Sequence, residues 1–207
     1  MVTSTDEINS SAFEIDFSAF SFKLGDPVEV KIKHQNDCRP KVLNPEVLKP
    51  KSTFEVIDIK VEDAILKWKT KNETGKLDYI IEQYRWNKWV KAGEVEGKGS
   101  VGEQDYEFQI EPHSGENKVR VKQVDYSNKP RYSPEAVFTD PDVTKVVFSP
   151  TKVRKEIIFT APTKYEVFDA YGNIVKKGFA NRIDVENLQP GVYYLNYDAA
   201  SDRFIKK

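Results

Sequence analysis

The chain has 207 residues, 39% of them hydrophobic and 12% aromatic, which allows a real core but suits two small domains better than one deep enzyme core. With 32 basic and 33 acidic side chains the net charge is −1, so the basic excess of a nucleic-acid binder is missing and no nucleic-acid partner is expected. The single cysteine, Cys38, excludes an intrachain disulfide framework and a cysteine-rich zinc site, and reads as a small buried hydrophobe.

Residues 1–50 read as a β-rich or extended segment. The opening Met1-Val-Thr-Ser-Thr-Asp-Glu has no charged region followed by an apolar one, and no run in the chain approaches the ~20 apolar residues of a membrane helix, so no transmembrane segment is expected. Phe13-Glu-Ile-Asp-Phe and Val28-Glu-Val-Lys-Ile-Lys alternate apolar with polar residues, as half-buried strands do. Pro40, Pro45 and Pro50 then remove three backbone donors, which marks a connector or a sheet edge.

Residues 51–139 carry strand signals at regular spacing. Ala64, Leu66 and Trp68 share one face, with Lys67 and Lys69 opposite, and Trp68 reads as core. Asn72-Glu-Thr-Gly75 supplies a turn before Leu77-Asp-Tyr-Ile-Ile-Glu-Gln-Tyr, and Arg85-Trp-Asn-Lys88 reverses the chain into Trp89-Val-Lys-Ala-Gly-Glu-Val. Tyr106-Glu-Phe-Gln-Ile and Val119-Arg-Val-Lys-Gln-Val alternate again; Tyr126 to Pro130 turns, and one strand from Tyr132 to Phe138 closes the set. About seven short strands with turns every 8–12 residues predict an immunoglobulin-like sandwich. The polar breaker Thr139-Asp-Pro-Asp142 sets the domain boundary.

Residues 143–207 predict a second, smaller sandwich of about seven strands, starting at Lys145, Lys155, Tyr165, Ile174, Arg182, Gly191 and Arg203. Tight turns at Ala170-Tyr-Gly-Asn173 and Leu188-Gln-Pro-Gly191 make so small a unit feasible. Along the last aromatic strand, Tyr193, Leu195 and Tyr197 fall on one face and Val192 and Tyr194 on the other. Both faces are apolar, so this strand is either central to the core or a contact surface.

Catalytic parts are sparse. His34 and His113 sit in polar, turn-like surroundings without zinc-ligand spacing and read as surface histidines. Nucleophile elbows, phosphate-cradling glycine loops and calcium loops are absent, so no enzyme activity, cofactor or metal is expected; a carboxylate pair in a cleft would be the sign of a hydrolase. Trp86 and Trp89 flank a hairpin tip. Exposed there, the pair would stack on a sugar or anchor a protein partner; otherwise Trp89 points inward and Trp86 covers the sheet edge.

Three stretches carry a resemblance. Tyr165-Glu-Val-Phe-Asp-Ala-Tyr-Gly-Asn-Ile-Val-Lys-Lys-Gly, Ile183-Asp-Val-Glu-Asn-Leu-Gln-Pro-Gly-Val-Tyr-Tyr-Leu-Asn-Tyr and Arg203-Phe-Ile-Lys-Lys resemble, in order, spacing and position, the type IX secretion (Por secretion) C-terminal sorting domain. The family's opening Pro-Asn-Pro is replaced by Phe148-Ser-Pro-Thr. Carried over residue by residue, the sorting signal comprises Tyr165, Phe168, Asp169 and Gly172 in the first stretch. It continues with Leu188, Pro190, Gly191, Val192, Tyr193 and Tyr194 in the second, and Phe204, Ile205, Lys206 and Lys207 in the last. Residues 115–126 and the hairpin from Ile80 to Trp89 resemble the fibronectin type III-like modules that precede such domains. Asn117 stands where that fold has its tyrosine corner, so the corner's hydrogen bond is expected to be missing.

The expectation is therefore an all-β protein: two tandem immunoglobulin-like β-sandwiches after an N-terminal β-rich or extended segment. The resemblance implies export through the periplasm to the cell surface or extracellular space. It also implies recognition by outer-membrane and shuttle proteins of the type IX machinery, and attachment to lipopolysaccharide. The chain would be either a small accessory component of that machinery or the tail of a larger effector, with an adhesin or glycan-binding module as the alternative.

Overall fold

The computed structural model describes residues 53–125 and 128–207. The expectations for residues 1–50, including His34 and Cys38, and for Tyr126 lie outside these. The described residues hold fourteen strands and no helix, hence none long and apolar enough to cross a membrane.

In the first sandwich, β1 (Glu55–Glu62), β2 (Ile65–Lys71) and β5 (Gln104–Gln109) form one sheet in the order β1-β2-β5. The facing sheet runs β4 (Lys88–Val95), β3 (Tyr79–Arg85), β6 (Glu116–Val124) and β7 (Pro130–Tyr132), with β8 (Ala136–Thr139) also on β6. Period-2 alternation sends Leu66, Trp68, Tyr79, Ile81, Val119 and Val121 into the shared core. Trp68 is buried as expected and stacks on Tyr106 with centroids 5.2 Å apart. The single closing strand expected from Tyr132 to Phe138 is two strands instead. Pro134 has no donor for the ladder, and Ser133 fills the break by accepting from the Val121 N–H at 3.0 Å and donating to the Pro134 carbonyl at 2.6 Å.

At one corner one expectation fails and another gains a substitute. His113 is buried, not on the surface: its ring nitrogens lie 2.9 Å from the Ser114 carbonyl and 3.3 Å from that of Tyr84. Asn117 stands in for the tyrosine whose hydroxyl bond is missing, and its amide makes bonds of its own. Its Oδ1 accepts from the His113 N–H (3.0 Å) and Gln83 Nε2 (2.9 Å), and its Nδ2 donates to the His113 and Gly115 carbonyls (2.9 and 3.0 Å). A fully buried amide thus ties down the same loop that a tyrosine hydroxyl would.

The second sandwich is one bent sheet. It contains β9 (Phe148–Ser149), β10 (Lys152–Val153), β11 (Glu156–Phe168), β12 (Ile174–Asp184), β13 (Gly191–Tyr197) and β14 (Ala200–Lys206). The order is β10-β14-β13-β11-β12, with β9 on β11. The strands expected from Lys155 and Tyr165 are one long β11, and those from Ile174 and Arg182 are one long β12. The register slips between Ile158 and Thr163, where Pro162 interrupts the donors, but the two strands stay paired on both sides. The bend folds the halves of β11 over one core, so that Phe159 stacks on Tyr197 of β13 at 5.6 Å.

Candidate functional site

The sorting-signal residues divide by physical role. Asp169 and Gly172 build the β11–β12 turn. The Asp169 carboxylate accepts from the backbone N–H of Tyr171 (2.8 Å) and Asn173 (2.9 Å) and from Asn173 Nδ2 (2.9 Å), while Gly172 takes a φ of 84° that side chains disfavour. The Asn173 bonds, followed by those to Tyr171 and Gly172, hold the Asp169 carboxyl below its usual range. Leu188, Pro190 and Gly191 form the turn into β13, where the Tyr193 hydroxyl donates to the Gln189 carbonyl at 2.9 Å. Tyr193 and Phe204 are buried and stacked at 5.4 Å, and Tyr165 and Leu188 pack against the same core. These residues are structural.

Phe168, Val192, Tyr194 and Ile205 point the other way. Phe168 on β11 pairs with Tyr194 on β13 and with Ile174 on β12, while Val192 on β13 pairs with Ile205 on β14. Ile174, Val192, Tyr194 and Ile205 are all exposed. With the half-buried Phe168 they lie on one face across four strands, edged by Arg203, which lies opposite Tyr194. On the last aromatic strand Tyr193, Leu195 and Tyr197 are core, and Val192 and Tyr194 are exposed. Ile174 escapes the motif reading because it follows the turn; its position opposite Phe168 brings it in. Lys206 turns inward, its Nζ donating to the Lys207 carbonyl at 2.8 Å.

Trp86 and Trp89 do not make one free platform. Trp86 and Asn87 adopt φ of 52° and 59°, the left-handed pair that a two-residue hairpin needs. That turn carries the Trp86 indole N–H to the Asp198 carbonyl, at 3.0 Å, in the second sandwich. Next to it, Lys88 Nζ lies 2.6 Å from Glu166, 5.8 Å from the Trp86 ring centroid and 5.4 Å from that of Phe168. Trp89 lies on the outer sheet face, edge-on to Tyr84 at 5.3 Å and 4.0 Å from the Arg120 guanidinium. Arg120 is held between Trp89 and Tyr132, also at 4.0 Å, and donates twice to Glu82 at 2.7 and 2.8 Å.

Glu73 and Asp198 are the most deeply buried carboxylates among the described residues. Glu73, fully buried, accepts from Thr70 Oγ1 (2.5 Å), the Tyr79 hydroxyl (3.0 Å), the Tyr106 hydroxyl (2.7 Å) and the Gly99 N–H (2.7 Å). Asp198, also buried, sits in the β13–β14 turn against the first sandwich. Burial alone would raise both carboxyls, but their donors outweigh it and hold them below the usual range. Burial also pulls the nearby Arg85 guanidinium down to about 10, against the opposing pull of Asp198 and Glu111.

The family model for the secretion system C-terminal sorting domain matches residues 149–207. Those residues are a sorting domain and mark the protein for export to the cell surface or extracellular space. No curated protein matches the chain. Among solved structures it is similar to the FN1–FN3 domains of chicken CNTN1, at 15% identity and TM-score 0.25, over 73% of this chain and 64% of that one. It is also similar to the BSP domain of a biofilm associated protein, at 15% identity and TM-score 0.27, over 75% and 29% of the two chains. A third similarity is to dimeric latent PorU from Porphyromonas gingivalis, at 14% identity and TM-score 0.29, over 81% and 21%. The chain spans less than two thirds of each of these.

Proposed function

We propose that the chain is a non-enzymatic surface protein in which residues 149–207 are the address and the sandwich before them is its mount. The outer-membrane and shuttle proteins of the type IX machinery read the address through the outward strip of Phe168, Ile174, Val192, Tyr194 and Ile205. That strip is the observation that carries the reading, because Ile174, Val192, Tyr194 and Ile205 are exposed and lie outside the core. A non-catalytic role is supported by Glu73 and Asp198, whose oxygens are taken up by protein donors. Within this reading the chain serves as a small accessory component of the secretion and attachment machinery, or as the tail of a larger effector. Glycan binding through Trp86 and Trp89 is the weaker reading, since Trp86 contacts Asp198 and Trp89 contacts Arg120.

Deleting Gly191–Lys207 is expected to trap the protein in the periplasm of a type IX-competent cell, as read by fractionation and surface proteolysis. That deletion also removes two core strands, so the triple variant Val192→Ser, Tyr194→Ser, Ile205→Ser isolates the strip. It is expected to melt like the parent yet be retained in the periplasm. Normal surface delivery of the triple variant would rule the strip out as the receptor contact.

A further inference from the structure

We infer that Asp198 is a latch that fixes the two sandwiches as one rigid unit, and so a positioning residue for the export signal. A two-residue turn such as Asp198-Ala199 needs only a residue that tolerates left-handed backbone; φ here is 47°, and Gly or Asn would serve the turn equally well. The choice of Asp is explained across the joint. Its carboxylate accepts from the backbone N–H of Ser114 (2.8 Å), from Ser114 Oγ and from the Val146 N–H (3.2 Å). Its carbonyl accepts from Trp86 Nε1 (3.0 Å) and Arg85 Nη1 (3.4 Å). Its own N–H donates to Thr163 Oγ1 at 3.0 Å. One turn residue therefore engages the β3–β4 tip, the loop before β6, the connector between the sandwiches and its own sheet.

Two further contacts stop rotation about that point. Lys88 pairs with Glu166, and Lys164 Nζ donates to the Lys91 carbonyl at 3.1 Å, both joining β4 to β11. The β13–β14 hairpin is thus held at its tip. Its other end, where Gly191 pairs with Lys206, projects about 20 Å away at the usual rise per strand residue. The outward strip is presented in one orientation relative to the first sandwich. This orienting role in export rests on the proposed reading of the strip; the rigid joint does not.

The test uses the full chain with Cys38→Ser and spin labels at Glu107→Cys and Asn181→Cys, one exposed site on each sandwich. The parent is expected to give a narrow distance distribution by pulsed electron paramagnetic resonance. Asp198→Gly keeps the turn and removes the carboxylate, so it should broaden the distribution severalfold while each sandwich still melts cooperatively. Ser114→Ala, made in the other sandwich, should broaden it in the same direction should Asp198→Gly fail to fold. Distributions as narrow as the parent's in the folded variants would overturn the latch. In cells, Asp198→Gly should lower surface delivery with the strip intact, and Asp198→Asn, which keeps an acceptor and tolerates the turn, should restore part of it. Undiminished export from a broadened Asp198→Gly chain would overturn the positioning role, whereas failure of the strip itself shows in the serine triple variant.

Discussion

Replacing Glu73 with alanine is expected to destabilise the first sandwich by roughly 3–5 kcal/mol, more than any surface change in the protein. The substitution removes the acceptor for the Thr70, Tyr79 and Tyr106 hydroxyls and the Gly99 N–H. Tyr79, Thr70 and Glu73 are fully buried, and the two tyrosine rings pack at 5.0 Å, so water cannot replace the carboxylate without opening the core. Urea unfolding followed by Trp68 fluorescence measures the loss. A change under about 1 kcal/mol would mean that the cluster is already solvated.

The same group sets a pH dependence. Its folded pKa lies below the ordinary 4.5, so its contribution is complete above that value and is lost as pH falls through the lower, folded value. Glu73→Gln should therefore flatten the acid side of the stability profile below about pH 4.5.

Leu195→Ala is the second large effect, expected to cost about 2–5 kcal/mol in the second sandwich. Leu195 is fully buried at the middle of β13, between β11 and β14. A unit this small buries limited area, so a loss of that size empties much of its folded population. By contrast Tyr194→Ser, one position away on the exposed face, should change stability by less than about 0.5 kcal/mol. Denaturant melts of the two variants separate core from surface on one strand. Equal destabilisation would contradict the assignment of faces.

Period-2 patterning accounts for what is legible in the sequence. It assigns the faces of β2, β6 and β13 because each has the core on one side only, and a buried face demands strict alternation. The turn at Asp169 is legible because all its bonds lie within five residues. The joint is not. Tyr197-Asp-Ala-Ala reads as an ordinary turn, and nothing near it signals Ser114, 84 positions earlier. His113 misleads, and the bonds of Asn117 go unread, for the same reason: their neighbours in the chain are polar, while the groups that bury and bond them come from β3 and the loop before β6. The long β11 and β12 also elude the pattern, because Pro162 marks a break in register and not an end of the strand.

The most direct test of the central claim moves the address to a new cargo. A signal peptide and a folded reporter are fused upstream of residues 54–207 and expressed in a type IX-competent cell, and the surface-exposed fraction of the reporter is measured by protease shaving. The reporter is expected at the surface with the native tail and in the periplasm when Val192, Tyr194 and Ile205 are changed to serine. A reporter that stays in the periplasm with the native tail, or reaches the surface equally with both, would contradict the account.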